Sequence, residues 1–202
     1  MDFLPTLNLE NKYWSIGFNF ICGIDEVGRG SWAGPLVVGG VILPKNFKIP
    51  KGLADSKLVP PKKRRELSII IKSKALAFTV ARIEPKIIDK VGVAKATHIA
   101  FRKVARQISP KPDFCLIDAF YIKHFLRSRQ QAVKDGDKIC ASISAASIVA
   151  KVYRDDLMIK LDRIFPQYGF AKHKGYPTKE HKDAIREHGL SPIHRRTFRH
   201  VA

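Results

Sequence analysis

The sequence predicts an α/β domain in which short buried strands alternate with helices. Compact runs rich in β-branched and apolar residues (20–25, 36–43, 77–83 and 114–119) are separated by stretches whose apolar residues return at helical intervals. The run at 36–43 is apolar nearly throughout, as a central strand covered on both faces must be. The run at 114–119 carries Asp118 near its end, and in open α/β sheets functional groups collect at the carboxyl ends of strands. A chain of 202 residues fits one domain with a substantial core. No repeat, low-complexity linker or composition break divides it, so 1–202 is read as a single domain.

Taken in order, residues 1–18 read as a loosely structured lead-in to a core at about 20–160. The strands at 20–25 and 36–43 are joined by a segment of Gly, Ser, Trp and Pro, a hairpin-like signal. Pro60 and Pro61 suit the first turn of a helix, where a missing N–H costs nothing, and apolar spacing continues it through 66–75. After the strand at 77–83, residues 87–108 place Val91, Ala94, His98, Phe101, Val104 and Ile108 at helical spacing, which predicts one amphipathic helix ended before Pro110. A basic, Gln-containing connection follows the strand at 114–119. From Ser142 a helix begins in which Ala145, Ala146 and Ala150 allow tight packing, while Ser147, Lys151 and Asp155 form a polar stripe at intervals of four. The last helix is expected at 178–188, within a C-terminal helical portion at about 161–202.

Charge narrows the partners. With 37 Lys and Arg against 18 Asp and Glu, the net charge of +19 points to a polyanion, nucleic acid first, with a merely solvated basic surface as the alternative. Cys22, Cys115 and Cys140 are odd in number and lack the close pairing of a zinc site, so they are read as buried free thiols of a reducing cytoplasm. No positively charged segment precedes an apolar core at the N-terminus, so no secretory signal is expected. The longest apolar stretch is too short and too broken by glycine to span a bilayer, so no membrane partner is expected.

The chemistry centres on 21–30, IleCysGlyIleAspGluValGlyArgGly. Neighbouring side chains on a strand point to opposite faces, so Asp25 and Glu26 reach one centre only if the strand ends or bends near Glu26. Gly28 and Gly30 permit such a bend, and Arg29 or the turn's own amides can donate to a phosphate. The alternative is a hairpin whose two acids face water. Asp25, Glu26, Asp118, Asp137 and Asp155 are dispersed acids, and each pair brought to about 4 Å would repel by roughly 4 kcal/mol at an effective dielectric near 20. Clustering them in so basic a chain requires a cation, and hard oxygen ligands suit Mg2+ or Mn2+. Two such ions can activate a water and stabilise the leaving oxygen of a phosphodiester. Asp135 competes with Asp137, and Lys151 with Asp155 can equally be a surface ion pair. No nucleophilic Ser or Cys stands beside an obvious base, and GlyArgGly is not a nucleotide-binding P-loop. In the tail, Tyr168, Phe170 and Tyr176 interleave with Lys172, His173 and Lys174, an arrangement suited to stacking on bases or sugars while cations meet phosphates.

Five stretches in order, GlyIleAspGluValGlyArgGly, AlaAspSerLys with LysLysArg after it, SerAlaAlaSerIleValAlaLysValTyrArgAsp, TyrGlyPheAlaLysHisLysGlyTyr and HisArgArgThrPhe, resemble ribonuclease HII, the type 2 ribonuclease H of bacteria. The likeness covers about 22–198. It implies a ribonuclease H-like fold, a mixed five-stranded sheet flanked by helices with a C-terminal helical portion. It implies an endonuclease that cuts RNA in RNA–DNA hybrids and on the 5′ side of single ribonucleotides embedded in duplex DNA, leaving a 3′-hydroxyl and a 5′-phosphate, in ribonucleotide and RNA primer removal. It also implies a Mn2+ or Mg2+ cofactor and a monomer. By position, Asp25, Glu26 and Asp118 match metal-binding acids, Asp137 the fourth catalytic acid and Asp155 an acid at the second metal. Gly28, Arg29 and Gly30 match the turn that reads the 2′-hydroxyl, and Tyr176 the tyrosine that stacks on the sugar. Lys57, the basic run 62–65 and Lys174 are expected on phosphates, with a solvated helix start as the alternative for 62–65.

The chain departs from the family pattern at several points. Ala119 follows Asp118 where glycine is usual, SerTrpAlaGlyPro stands where ProLeuAlaGlyPro is common, and Leu58 replaces a frequent second lysine. Lys138 follows Asp137 directly, where the family's lysine comes two residues on, and Asp137 is preferred to Asp135 on its spacing to Ser142 and Asp155. Ribonuclease HIII, another nuclease of the same fold, and a basic binding module without catalysis are the competing readings. His173, His181, His188 and His194 are read as surface or structural residues, with proton transfer as the alternative.

Overall fold

The apolar runs pair into one five-stranded sheet of order β3-β2-β1-β4-β5, seen in a computed structural model that describes residues 4–199 and residue 201. The strands are β1 Ile21–Val27, β2 Leu36–Ile42, β3 Ala77–Ile83, β4 Phe114–Asp118 and β5 Gln130–Val133. β1, β2 and β3 pair antiparallel, whereas β4 runs parallel to β1 and β5 parallel to β4, so the sheet is mixed as expected.

The sheet is covered on both faces, which is why β2 is buried at every position. A Cβ on Gly39 would meet the Ala146 carbonyl of helix α6 (Ala141–Ile164). One on Gly40 would meet Val104 of helix α4 (Val93–Gln107) on the opposite side. Glycine at both positions lets two helices approach the same strand closely. The α4 side is filled by Ile24, Leu36, Val38, Phe101, Val104 and Ile117. On the α6 side Val41, Ala145 and Val149 pack with Leu67 and Ile71 of helix α2 (Pro61–Lys74). Each such fully buried aliphatic side chain is worth about 1.5–3 kcal/mol of transfer free energy.

Three expectations about elements are corrected. The lead-in is not loose: helix α1 (Asn8–Ser15) buries Glu10 and Trp14. Glu10 Oε1 accepts a 2.7 Å hydrogen bond from the Ser142 amide at the start of α6, satisfying a donor that has no partner inside its own helix. The helix expected at 87–108 is two, α3 (Pro85–Val91) and α4, because Gly92 takes φ 79°, ψ 152°, a conformation no helix can continue through. The Gly92 amide closes α3 on the Ile88 carbonyl at 2.8 Å, and its own carbonyl accepts from Ala96 at 3.0 Å to open α4. The Gln-containing connection holds the fifth strand, β5, preceded by a 3-10 turn at Arg127–Arg129. Gln130 is buried there and its side chain bonds the Ile122 amide at 2.6 Å and the Phe125 carbonyl at 3.0 Å.

Short helices α5 (Gly136–Ile139) and α7 (Phe170–His173) lead to α8 (Lys179–His188), the helix expected at 178–188, whose Thr178 cap accepts from the His181 amide. All three cysteines are free and buried. Among the described residues no helix is long and apolar enough to cross a membrane.

Candidate active site

β1 does not stop at Glu26 but runs to Val27, carrying both acids within the ladder. The bend comes after them, at Gly28, whose φ of 84° belongs to the region only glycine enters without strain. The Asp25 carboxylate folds back along the strand, its Oδ1 accepting from the Glu26 amide at 2.7 Å. Parallel register pairs Ile24 with Ile117, so the next residue on each strand is an acid, Asp25 on β1 and Asp118 on β4. Asp118 Oδ1 accepts from the Gly136 amide at 2.7 Å, which fixes it against the turn that opens α5. Asp137, in the first turn of α5, is buried and stands 3.9 Å from the Lys57 ammonium.

These four acids feel one another. Burial first and the Glu26 charge second push Asp25 well above the usual carboxylate range, against a Ser147 hydroxyl that pulls it down, with Asp118 and Asp137 adding to the rise. Burial raises Glu26 to about 7, opposed by Arg29 and reinforced by Asp118. Asp118 is raised by burial, with the Gly136 hydrogen bond and Lys57 opposing. Asp137 is raised to about 6 by burial and then by Asp55 and Asp118. Among the described residues Glu26 Oε2 is buried without a hydrogen-bond partner. Orphaned carboxylate oxygen among mutually repelling acids is the chemistry of a site suited to a hard divalent cation. Among the described residues no three such side chains already converge on one ion position, so what the fold presets is the placement of their backbones.

Two open clefts meet at Lys57. One, of about 220 Å³, is lined by Asp25, Glu26, Gly28, Arg29, Gly30, Lys57 and Tyr176. The other, of about 300 Å³, is lined by Asp118, Asp137, Asp135, Asp55 and Lys57. Arg29 lies 3.8 Å from Glu26 and over the Phe120 ring at 4.6 Å. Asp135 turns outward to Lys138 at 2.8 Å, while Asp137 faces the other acids. Ala119 adopts φ 54°, so the left-handed turn after β4 is kept with alanine in place of glycine.

Asp155 is not brought into this group. It accepts from Arg64 at 3.0 Å and from Lys151 at 2.6 Å and lines a separate narrow cleft with Lys174. Its link to the site is through Lys151, which lies 5.7 Å from the centroid of the Tyr176 ring. Arg64 is buried and also donates to the Ser56 and Val59 carbonyls, so the run at 62–65 is not uniformly a phosphate-facing surface. The aromatic–cation tail needs a larger correction. Tyr168 and Phe170 are buried, stacked at 5.2 Å against Ala33 and Met158, because the stretch folds into a 3-10 turn and α7 that point them inward. Of the three aromatics only Tyr176 lines the acid cleft. His173, His181 and His194 are buried beside them, and burial holds His181 and His194 at about 4, uncharged at neutral pH.

Sequence reasoning passed over Asp55 and Ser147. Asp55 Oδ1 accepts from the Lys57 amide at 2.9 Å and so aims Lys57 at the acids, although only Lys57 of the AspSerLys stretch was singled out. Ser147 was visible only as part of a stripe; its hydroxyl bonds Ser56 at 2.9 Å beside Asp25.

The ribonuclease HII family model matches residues 22–201, a span that contains the acids of both strands, the glycine turn and Tyr176. The chain belongs to the ribonuclease HII family. The ribonucleases HII of Desulfitobacterium hafniense (strain DSM 10664 / DCB-2) and Chloroherpeton thalassium are 47% and 45% identical to it. These matches cover 95% and 94% of this chain and 73% and 94% of those proteins. The crystal structure of ribonuclease H2 from Pyrococcus horikoshii OT3 superposes with a TM-score of 0.73 at 26% identity, over 89% of this chain and 93% of that one. Archaeoglobus fulgidus ribonuclease HII, solved in a complex with PCNA, gives 0.74 at 23% identity over 89% and 95%, a likeness of fold. The chain is thus a ribonuclease H enzyme, and its mixed sheet with a helical C-terminal portion is the ribonuclease HII fold.

Proposed function

We propose that this ribonuclease H hydrolyses RNA in RNA–DNA hybrids and incises duplex DNA on the 5′ side of a single embedded ribonucleotide, leaving a 3′-hydroxyl and a 5′-phosphate. The observation that carries the proposal is that Asp25 and Glu26 share one cleft with the turn Gly28 to Gly30 and with Tyr176. An acid centre that needs cations and a glycine turn able to reach a 2′-hydroxyl therefore face the same substrate. Asp25, Glu26 and Asp118 would hold Mn2+ or Mg2+, with Asp137 as the fourth acid; bound divalent metal supplies Lewis acidity for in-line displacement at the phosphodiester. Asp155 is already paired with Arg64 and Lys151, and as a ligand it would have to leave both, so we assign it to seating Lys151 beside Tyr176.

The chain's own groups do the rest. Lys57, oriented by Asp55, and Arg29 neutralise phosphate oxygens, and Lys174 meets the backbone further along. Amides of the glycine turn take the 2′-hydroxyl, and Tyr176 stacks on the sugar beside it. The net charge of +19 and buried thiols fit a monomer acting on nucleic acid in the cytoplasm, in ribonucleotide and primer removal. The test is cleavage of duplex DNA containing one ribonucleotide, with Mg2+, with Mn2+ and with chelator, beside Asp25→Asn. Metal-dependent incision 5′ to the ribonucleotide, abolished in the variant while binding persists, is expected. Cutting of long hybrids without incision at the single ribonucleotide would remove the role given to Gly28, Arg29, Gly30 and Tyr176.

A further inference from the structure

Two arginines are fully buried in this protein, Arg154 on α6 and Arg195 in the HisArgArgThrPhe stretch. Among the described residues, every hydrogen bond of either guanidinium ends on a backbone carbonyl. Arg154 donates to Ala33 at 3.0 Å, Pro35 at 3.0 Å and Lys174 at 2.9 Å. Arg195 donates to Gly34 through two nitrogens, at 3.0 and 2.9 Å, and to Arg29 at 3.0 Å. The bonds therefore converge on two segments, the turn 29–35 and Lys174. Burying a guanidinium without a carboxylate is costly, several kcal/mol after relaxation, so the fork must be offset by what it organises.

What it organises is the wall of the cleft. In a planar trans peptide the carbonyl and the following N–H point in opposite directions. Arg195 draws the Arg29 carbonyl inward, which turns the Gly30 N–H the other way, toward the cleft that Gly30 lines. Arg154 lies against the turn from beneath, since a Cβ on Gly28 would collide with its Nε. The same guanidinium holds the Lys174 carbonyl and sits 5.4 Å from the Tyr176 ring centroid. Gly175 closes the link, its carbonyl accepting from Trp32 at 2.8 Å and Ala33 at 3.2 Å.

We propose that Arg154 and Arg195 are positioning residues for substrate choice: together they set the distance and facing of the Gly28–Gly30 turn and Tyr176, and so the preference for a single ribonucleotide within DNA. The inference rests on the reading of that turn and tyrosine given above. A long hybrid offers a 2′-hydroxyl at every nucleotide, so a displaced turn can be served by a neighbouring register. A single embedded ribonucleotide offers one, and a displaced turn loses it.

The experiment compares kcat/KM on a duplex with one ribonucleotide and on a long RNA–DNA hybrid for wild type, Arg195→Met, Arg195→Lys and Arg154→Lys, each first checked by melting. The ratio of the two rates is expected to fall about tenfold or more in the folded variants, since a shift of about 1 Å at a positioned group costs on the order of 10²-fold. Equal losses on both substrates, or none, would overturn it and leave the arginines as fasteners of the C-terminal portion. The Lys variants keep stem and charge and remove only the fork, so they carry the test if Arg195→Met does not fold. Failure of all three to fold would likewise assign the arginines to stability. If the wild type itself ignores single ribonucleotides, the underlying reading has failed, and the variant ratio is not what shows it.

Discussion

At the scale of single residues, the raised acids make a prediction whose sign is unusual. A carboxylate stabilised by the fold has a lowered pKa, but Glu26 is raised from 4.5 to about 7. The folded state therefore holds more protons than the unfolded one between those values, and stability falls as pH rises through that window. The metal-free protein is expected to lose melting temperature from about pH 4.5 to about pH 7, and Glu26→Gln is expected to flatten the loss. Mg2+ or Mn2+ should restore part of it, because cation binding replaces the protons. Melting curves across pH with and without metal measure this; a wild-type curve that matches Glu26→Gln would show that neither burial nor its acidic neighbours raise Glu26. Ala119 carries a second prediction. Its φ of 54° costs an L-residue about 1–2 kcal/mol, less the chain entropy that glycine adds to the unfolded state. Ala119→Gly should thus stabilise by about 1 kcal/mol, read as a higher denaturant midpoint with an unchanged slope.

At the scale of elements, what was legible followed from chemistry carried by one segment alone. The strands at 36–43 and 77–83 and the helix beginning at Pro61 agree with expectation within one residue because each carries its signal in its own residues: a continuous apolar run in the first, β-branched and aromatic residues in the second and a proline start with helical apolar spacing in the third. The position of Asp118 at the close of its strand was legible for a related reason, whereas Asp25 and Glu26 lie within the β1 ladder, which runs on to Val27. The break at Gly92 was hidden because apolar spacing runs on across it, so periodicity outweighed a single glycine. β5 was hidden because a short edge strand with two glutamines has no apolar alternation, and its burial comes from bonds to the loop 122–125. Tyr168 and Phe170 were misplaced because alternating aromatics and cations look alike whether the rings turn inward or outward. The buried Glu10 was illegible for the same physical reason: its partner, the Ser142 amide, is distant in sequence. Glu10→Ala should leave that buried donor unpaired and cost about 1–3 kcal/mol, measurable by denaturation. A loss below about half a kcal/mol would mean that water takes the carboxylate's place.

At the scale of the whole molecule, the excess of 19 positive charges is an electrostatic statement about the substrate, and it is testable without catalysis. Net charge alone raises attraction to any polyanion, whereas contacts in the cleft fix a number of displaced counterions. Arg29 and Lys57 line the acid cleft and Lys174 lines the cleft that holds Asp155, and on the proposed reading these three cations meet phosphates. Each phosphate neutralised changes log K by roughly 0.9 per tenfold change in salt, so three contacts give a slope near −2.7, and further lysines on the basic surface steepen it. Asp25→Asn in chelator, binding a labelled hybrid without cutting it, isolates this term. Lys57→Ala should reduce the slope by roughly 0.9, because it removes one phosphate contact. Lys86→Ala should leave the slope unchanged, because Lys86 is exposed and lines none of the three clefts around the site. Equal reductions from both would mean that the charge acts as a diffuse cloud; a reduction confined to Lys57 would mean that the cleft, and not the net charge, selects where the backbone lies.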